Sequence, residues 1–319
     1  MKRRSRVVDY LVYLGVRALA GIFLVFPIEP NLRTARLIGW LWYRLIGRHR
    51  QRALEHLRAS FGGQLSDQQL ARIALRCMQQ MVMMAVEVIF MPRLVNAWTW
   101  SRYIRLGDLG EALGWLLQRR PAILVTGHYG NWELLGYLLG QLGVELVAVM
   151  RPLDNPYLND YLVRTLQRAG LNLLYKRGMT RSADDVLARR GALCFIADQN
   201  AGHKGLFVDF FGRKASTYKS IGLLAIRHRV PIIVGYARRI GRGFSYEVAV
   251  KRFIDPAEWQ GRDDELLWIT QEYTRAIEQF VREAPDQYLW VHRRWKTRPR
   301  DESVSALAGE SVARPVLSR

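Results

Sequence analysis

From residue 121 onward, short β-branched or aliphatic runs alternate with helical patterns, and this alternation constrains the fold more than any other feature of the chain. The runs are Ala122–Thr126, Glu145–Met150, Leu171–Lys176, Ala192–Asp198 and Pro231–Tyr236. Helical patterns separate them over Asn131–Leu142, Pro156–Ala169, Arg181–Arg190 and Thr217–Arg229, with Gly170 and Gly191 as stop signals. A strand that returns through a helix to a parallel neighbour does so by a right-handed crossover. The order therefore predicts an α/β fold, a mostly parallel sheet flanked by helices. Tyr246–Arg252 adds a further strand, placed at an edge, and Asp263–Ala284 a last long helix. Upstream, residues 66–91 read as a helix capped by Ser66, with Leu70, Ile73, Ala74, Cys77, Met81 and Met84 recurring at helical spacing. Its methionines read as core or acyl-chain packing rather than metal ligands.

The N-terminus sets a second constraint. Lys2-Arg3-Arg4-Ser5-Arg6 precedes a stretch that is apolar from Val7 to Ile28 apart from Asp9 and Arg17. That length suffices to cross a bilayer as a helix, and the basic flank would hold the N-terminus in the cytoplasm. Arg17 at the centre of a spanning helix costs about 2.5–3.5 kcal/mol on insertion scales. An interfacial amphipathic anchor is the alternative. Either form makes residues 1–30 a membrane anchor helix, residues 31–300 one catalytic domain and residues 301–319 a small, polar, patternless tail.

Charge points the same way. The chain carries 48 Lys+Arg against 28 Asp+Glu, a formal net of +20, which predicts an anionic partner. Through residue 58 there are 12 basic residues against 3 acidic, interleaved with Trp40, Trp42 and Tyr43. Arginines mixed with aromatics suit a phospholipid headgroup layer. A nucleic-acid partner needs a recognisable binding module, and the sequence has none. The two cysteines, Cys77 and Cys194, each sit in an apolar run, which argues against a disulfide framework or a cysteine-based zinc site.

In open α/β sheets, sites form beyond the carboxyl ends of the strands. Three polar segments fall there: Thr126-Gly127-His128-Tyr129-Gly130-Asn131-Trp132-Glu133, Arg151-Pro152-Leu153-Asp154-Asn155-Pro156 and Asp198-Gln199-Asn200. If Asn131 caps the following helix, Glu133 lies in its first turn and the loop can fold His128 back toward it. A carboxylate bonded to one imidazole nitrogen fixes the tautomer and raises the basicity of the other, so His128 is the expected general base and Glu133 its partner. Backbone N–H groups near residues 129–132 are the expected oxyanion donors. No G-x-S-x-G elbow, Walker loop or G-x-G-x-x-G appears, so the nucleophile is expected to be the substrate's own hydroxyl, without a cofactor. Arg151, Arg164 and Arg168 are candidate phosphate forks, and Asp198 can orient substrate or pair with an arginine. Two other classes remain open at this point. One is a metal-dependent phospholipid hydrolase using His128, Glu133, Asp198 and His203. The other is a non-catalytic basic binding protein.

The same residues resemble a known family. Gly127-His128-Tyr129-Gly130-Asn131-Trp132-Glu133 is similar to the signature block of bacterial lipid A late acyltransferases, the lauroyl and myristoyl transferases. The likeness continues, in the family's order, through residues 151–156 and 198–200, then 210–217 and 285–299. It implies an enzyme at the inner membrane, working on the cytoplasmic face. Such an enzyme moves a fatty acyl group from acyl carrier protein, or acyl-CoA, onto a hydroxyl of a phosphorylated lipid A precursor. It implies His128 as general base with Glu133 as its partner, and Arg164 or Arg168 in the substrate site; Arg151, Asn131, Asp198 and Gln199 are the other candidate substrate contacts. Related transferases carry a similar His–acid block and acylate other glycolipids or phospholipids. The closing His292-Arg293-Arg294 is a candidate for holding phosphate or docking the carrier.

Overall fold

The computed structural model describes residues 5–168, 170–175 and 179–299, without the side chains of 179–181. The proposed tail at 301–319 lies outside the described residues. Four helices open the chain: α1 (Arg6–Val25), α2 (Ile28–Leu45), α3 (Gly47–Phe61) and α4 (Asp67–Leu94). Strand–helix alternation follows, through β1 (Ile104–Leu106), α5 (Ala112–Leu117), β2 (Ala122–Thr126), α6 (Trp132–Gln141), β3 (Leu146–Met150), α7 (Pro156–Gln167), β4 (Leu171–Tyr175), α8 (Met179–Ala188) and β5 (Ala192–Ile196). The chain then runs through β6 (Leu206–Phe210), β7 (Arg213–Thr217), α9 (Ser220–His228), β8 (Ile232–Arg239), β9 (Tyr246–Ile254), α10 (Pro256–Trp259) and α11 (Glu265–Glu283).

Seven strands form one sheet in the order β1-β9-β8-β2-β5-β3-β4. Strands β8, β2, β5, β3 and β4 are mutually parallel, so their carboxyl ends share one edge. The expected α/β architecture is therefore present, with two differences. Tyr246–Arg252 is not an edge strand: β9 pairs antiparallel with β8 on one side and parallel with the three-residue β1 on the other. And β6 and β7 form a separate antiparallel hairpin, so the helix expected from Thr217 begins only at Ser220.

Packing explains the central strands. In β2, Ile123 and Val125 enter one apolar layer, with α3, α9 and α11, while Ala122 and Leu124 enter the other, with α2, α5 and α6. A strand covered on both faces has no reason to alternate polar and apolar residues, and Ala-Ile-Leu-Val-Thr does not. Helix α4 contributes to both layers, through Met78 on one side and Met83, Val86 and Phe90 on the other. It starts where expected, with Ser66 and Gln69 forming a reciprocal capping box.

Helix α1 differs from the rest. Val7, Leu11, Leu19, Ile22 and Val25 are exposed on it, and it leans on α7 through Tyr10 against Tyr157 and Asn155 Nδ2 donating to the Asp9 carbonyl at 2.8 Å. Arg17 lies over the Tyr161 ring, 4.8 Å from its centroid. Among the described residues, α1 and α4 are long and apolar enough to cross a membrane; α4 is 44% buried within the protein over its most apolar stretch and α1 11%.

Candidate active site

Strand β2 ends at Thr126, and the loop Gly127–Asn131 turns the chain into α6. Asn131 caps that helix by accepting from the Leu134 amide at 2.9 Å. The loop is bonded on both sides: the Gly130 amide donates to the Gln287 carbonyl, the Asn131 amide to Ala237, and His128's own carbonyl accepts from Leu289. Gly130 has φ +58°, and a Cβ there would stand 1.9 Å from the Ala237 oxygen. Only glycine permits both the left-handed backbone and that approach. The imidazole of His128 is thus carried on a loop clamped between β8 and the segment after α11.

The partner of that imidazole is Asp198, not Glu133. Asp198 follows β5, the strand beside β2. Its Oδ1 lies 2.7 Å from His128 Nδ1, and its Oδ2 accepts the His128 amide at 2.9 Å. Burial pushes the Asp198 carboxyl up, but His128 and the Arg294 guanidinium outweigh it and hold the group at about 2. An ionised carboxylate on Nδ1 makes that nitrogen the proton donor and leaves Nε2 with its lone pair. Gln199 Nε2 lies 3.2 Å from His128 Nε2 and donates to it. Glu133 accepts from the Trp132 indole at 3.1 Å, and Trp132 packs edge-on against His128, the centroids 4.9 Å apart. Desolvation raises the Glu133 carboxyl above its usual range, against the Trp132 hydrogen bond and His128. Glu133 therefore sits near the imidazole without holding either ring nitrogen. The loop carrying Asp198 comes from a strand about seventy residues further along, a proximity that strand order alone creates.

The other expected residues divide. Asn131 is fully buried and committed to the cap and to Glu87 Oε2 at 3.0 Å, which leaves it no atom for substrate. Arg151 is exposed and paired with Asp154 at 3.0 Å. Arg164, paired with Asp160, lines a groove of about 500 Å³ with Arg168, Arg17 and the tyrosines of α1 and α7. No residue of the His128 loop lines it. Of the amides expected as oxyanion donors, those of Tyr129, Gly130 and Asn131 already donate to carbonyls. Among the described residues, no three His, Cys, Asp or Glu side chains group together as metal ligands. His203 lies in the turn Gly202–Lys204.

In the closing segment Arg293 is exposed, while Arg294 and, in part, His292 are held inside the protein. Arg294 is buried and donates to the carbonyls of Gln199 and Ser216 and to Thr217 Oγ1. It ties the Asp198-Gln199 loop to the β7 end, a contact that the sequence spacing does not reveal. His292 stacks over His128 at 6.4 Å, and burial lowers it to about 4, with Asp198 opposing and His128, Arg294 and His56 reinforcing. A neutral imidazole does not hold phosphate by charge. It does make stability depend on pH. A free histidine titrates near 6.5, so between about pH 6.5 and 4 the unfolded chain binds the proton that the folded one refuses. Stability is complete above that window and falls as pH drops through it, by on the order of 1–2 kcal/mol for this partly exposed ring. Urea midpoints at pH 7.5 and 5 should differ more for the wild type than for His292→Gln; equal differences would remove His292 from the account.

Comparison with known proteins identifies the family. A family model described as bacterial lipid A biosynthesis acyltransferase matches residues 1–297. The lipid A biosynthesis palmitoleoyltransferase of Escherichia coli K12 is 29% identical over 216 residues, 65% of this chain and 68% of that protein. The lauroyltransferase of the same organism is 22% identical over 297 residues, 91% and 92% of the two chains. The phosphatidylinositol mannoside acyltransferase of Mycobacterium tuberculosis is 25% identical over 131 residues, 40% and 42%. With a site at the expected end of a parallel sheet and a family match running through nearly every described residue, the chain belongs to the bacterial lipid A biosynthesis acyltransferases.

Proposed function

We propose that the protein transfers a fatty acyl group from acyl carrier protein, or from acyl-CoA, onto a hydroxyl of a phosphorylated lipid A precursor, with His128 as general base. The observation that carries this reading is the Asp198–His128 pair, which presents Nε2 as a proton acceptor at the mouth of the sheet. The acceptor hydroxyl takes the place of the Gln199 amide, donates to Nε2, and its oxygen attacks the thioester carbonyl. The imidazolium that forms is held by Asp198, and its proton leaves with the thiolate as the tetrahedral intermediate collapses. No covalent acyl-enzyme is required. Asp198 acts as a positioning residue and Gln199 as the group that yields to substrate.

The exposed apolar surface of α1, the basic residues before it and the exposed Leu37, Trp40 and Leu41 of α2 support residence at the inner membrane, with the site on the cytoplasmic face. The test is acyl transfer by the full chain in detergent, from labelled acyl carrier protein or acyl-CoA, to a panel of phosphorylated glucosamine-disaccharide lipids, phosphatidylinositol mannosides and phospholipids. Mass spectrometry should show one added acyl ester on a lipid A precursor. Acylation confined to another lipid moves the acceptor assignment, and no transfer from either thioester ends the reading.

A further inference from the structure

A second cavity opens at the same carboxyl edge of the sheet, away from the His128–Asp198 pair. It has a volume of about 460 Å³ and lies between α2, α4, the β8–β9 turn and the turn after α11. Its wall carries four arginines, Arg36, Arg76, Arg239 and Arg242, against a single carboxylate, Asp286. Two of the four are accounted for. Arg239 is buried and paired with Glu87, which does not face the cavity. Arg76 lies 3.6 Å from Asp286, a loose pair. Arg36 donates to the Arg242 backbone carbonyl at 2.8 Å, and neither guanidinium has an ion-pair partner among the described residues. The cavity therefore holds an excess of positive charge that the protein itself does not neutralise.

We propose that this cavity is a binding site for a phosphomonoester group, held by the Arg36 and Arg242 guanidiniums with Arg76 beside them. Guanidinium forks match phosphate oxygens two at a time, and like charges gathered in one concavity become favourable only when an anion joins them. The helix that carries Arg36 exposes Leu37 beside it and Trp40 and Leu41 about one turn further on. That places a phosphate pocket beside a surface suited to acyl chains, the arrangement a phosphorylated lipid needs. A concave site also fits a small headgroup better than a folded acidic protein. The cavity is coupled to the candidate active site through shared side chains: Arg239 pairs with Glu87, and Glu87 accepts from Asn131, the cap of the His128 loop. The phosphate chemistry stands on the cavity alone; naming its ligand as the phosphate of the acyl acceptor rests on the acyl-transfer reading.

Binding is measured on the full chain in neutral detergent micelles doped with phosphatidic acid, with phosphatidylcholine as control and inorganic phosphate as competitor. The wild type should bind phosphatidic acid in preference to phosphatidylcholine. Arg36→Gln and Arg242→Gln should each weaken that binding by about tenfold or more, with Arg242→Lys falling between the wild type and Arg242→Gln, because an ammonium keeps the charge but not the fork. Displacement by inorganic phosphate shows that the phosphate group alone is read; resistance to it shows that the lipid is needed. No preference over phosphatidylcholine, or glutamine variants that bind like the wild type, overturns the proposal. So does an acidic carrier protein whose binding is lost in the variants while phosphatidic acid binding persists. In acyl transfer, the preference for a phosphorylated over a dephosphorylated acceptor should collapse in both glutamine variants. If binding follows the arginines but no acyl transfer is found, the activity reading fails and the site stands.

Discussion

His128→Ala should lower kcat for acyl transfer by about 10²–10⁴-fold while the circular dichroism spectrum stays near wild type, because general-base removal costs that much; Tm should fall modestly, since the buried Asp198 loses its imidazole partner but keeps the residue 128 amide and the nearby Arg294 guanidinium. The informative companions are the two carboxylates. Asp198→Asn keeps the side chain's shape and its bond to the His128 amide but presents no carboxylate to Nδ1. The wrong tautomer then becomes available and kcat should fall by a comparable factor, with KM for the acceptor little changed. Glu133→Gln leaves both ring nitrogens as they are, so its loss should be the smaller of the two. A larger effect of Glu133→Gln than of Asp198→Asn returns the partner's role to Glu133. Full turnover by His128→Ala removes the general-base reading altogether.

Why Glu133 and not Asp198 stood out along the chain has a physical reason. His128 and Glu133 are neighbours in sequence, and a short spacing is legible without a fold. Asp198 reaches His128 only because β5 lies beside β2, and strand order is not written in any local pattern. The core was legible for the opposite reason. Ala122–Thr126 and Ala192–Ile196 are continuous apolar runs because both of their faces are covered, and burial on both faces leaves a trace that needs no partner to be seen. The three-residue β1 and the β6–β7 hairpin leave weaker traces. The hairpin's Asp209, Arg213 and Lys214 break its apolar pattern, and its turn at Phe211-Gly212, with φ +54° and +67°, reads as a turn only once the two runs are known to pair. The arginines show the same limit. Nothing in the spacing of Arg294 or Arg239 distinguishes a guanidinium buried in a network from one in water; in the structure both are buried, and Arg36 and Arg242 face a cavity.

Glu87→Gln should destabilise the protein more than any other single change that leaves the apolar core intact. Glu87 is fully buried on α4, and its carboxylate meets three partners: Arg239 Nη1 at 2.5 Å, the Tyr246 hydroxyl at 2.5 Å and Asn131 Nδ2 at 3.0 Å. Arg239 keeps only Gln80 Oε1 and the Gly243 carbonyl when the carboxylate goes. Removing one partner of a buried pair leaves the other charge without compensation, at a cost of about 3–5 kcal/mol. For a chain of this size that corresponds to a fall in Tm of roughly 4–8 °C. Scans at one fixed rate make the comparison valid even if unfolding is irreversible. The double change Glu87→Leu with Arg239→Met takes both charges away and should recover a large part of the loss, since a packed apolar pair of similar volume is no worse than the ion pair. Acyl transfer should not recover with it. Asn131 still lacks its acceptor, the cap of α6 is loosened, and the His128 loop loses the anchor that holds the imidazole against Asp198. A Tm within about one degree of wild type for Glu87→Gln would show that the pair contributes little to the fold. Restored turnover in the double variant would show that the network does not position the site.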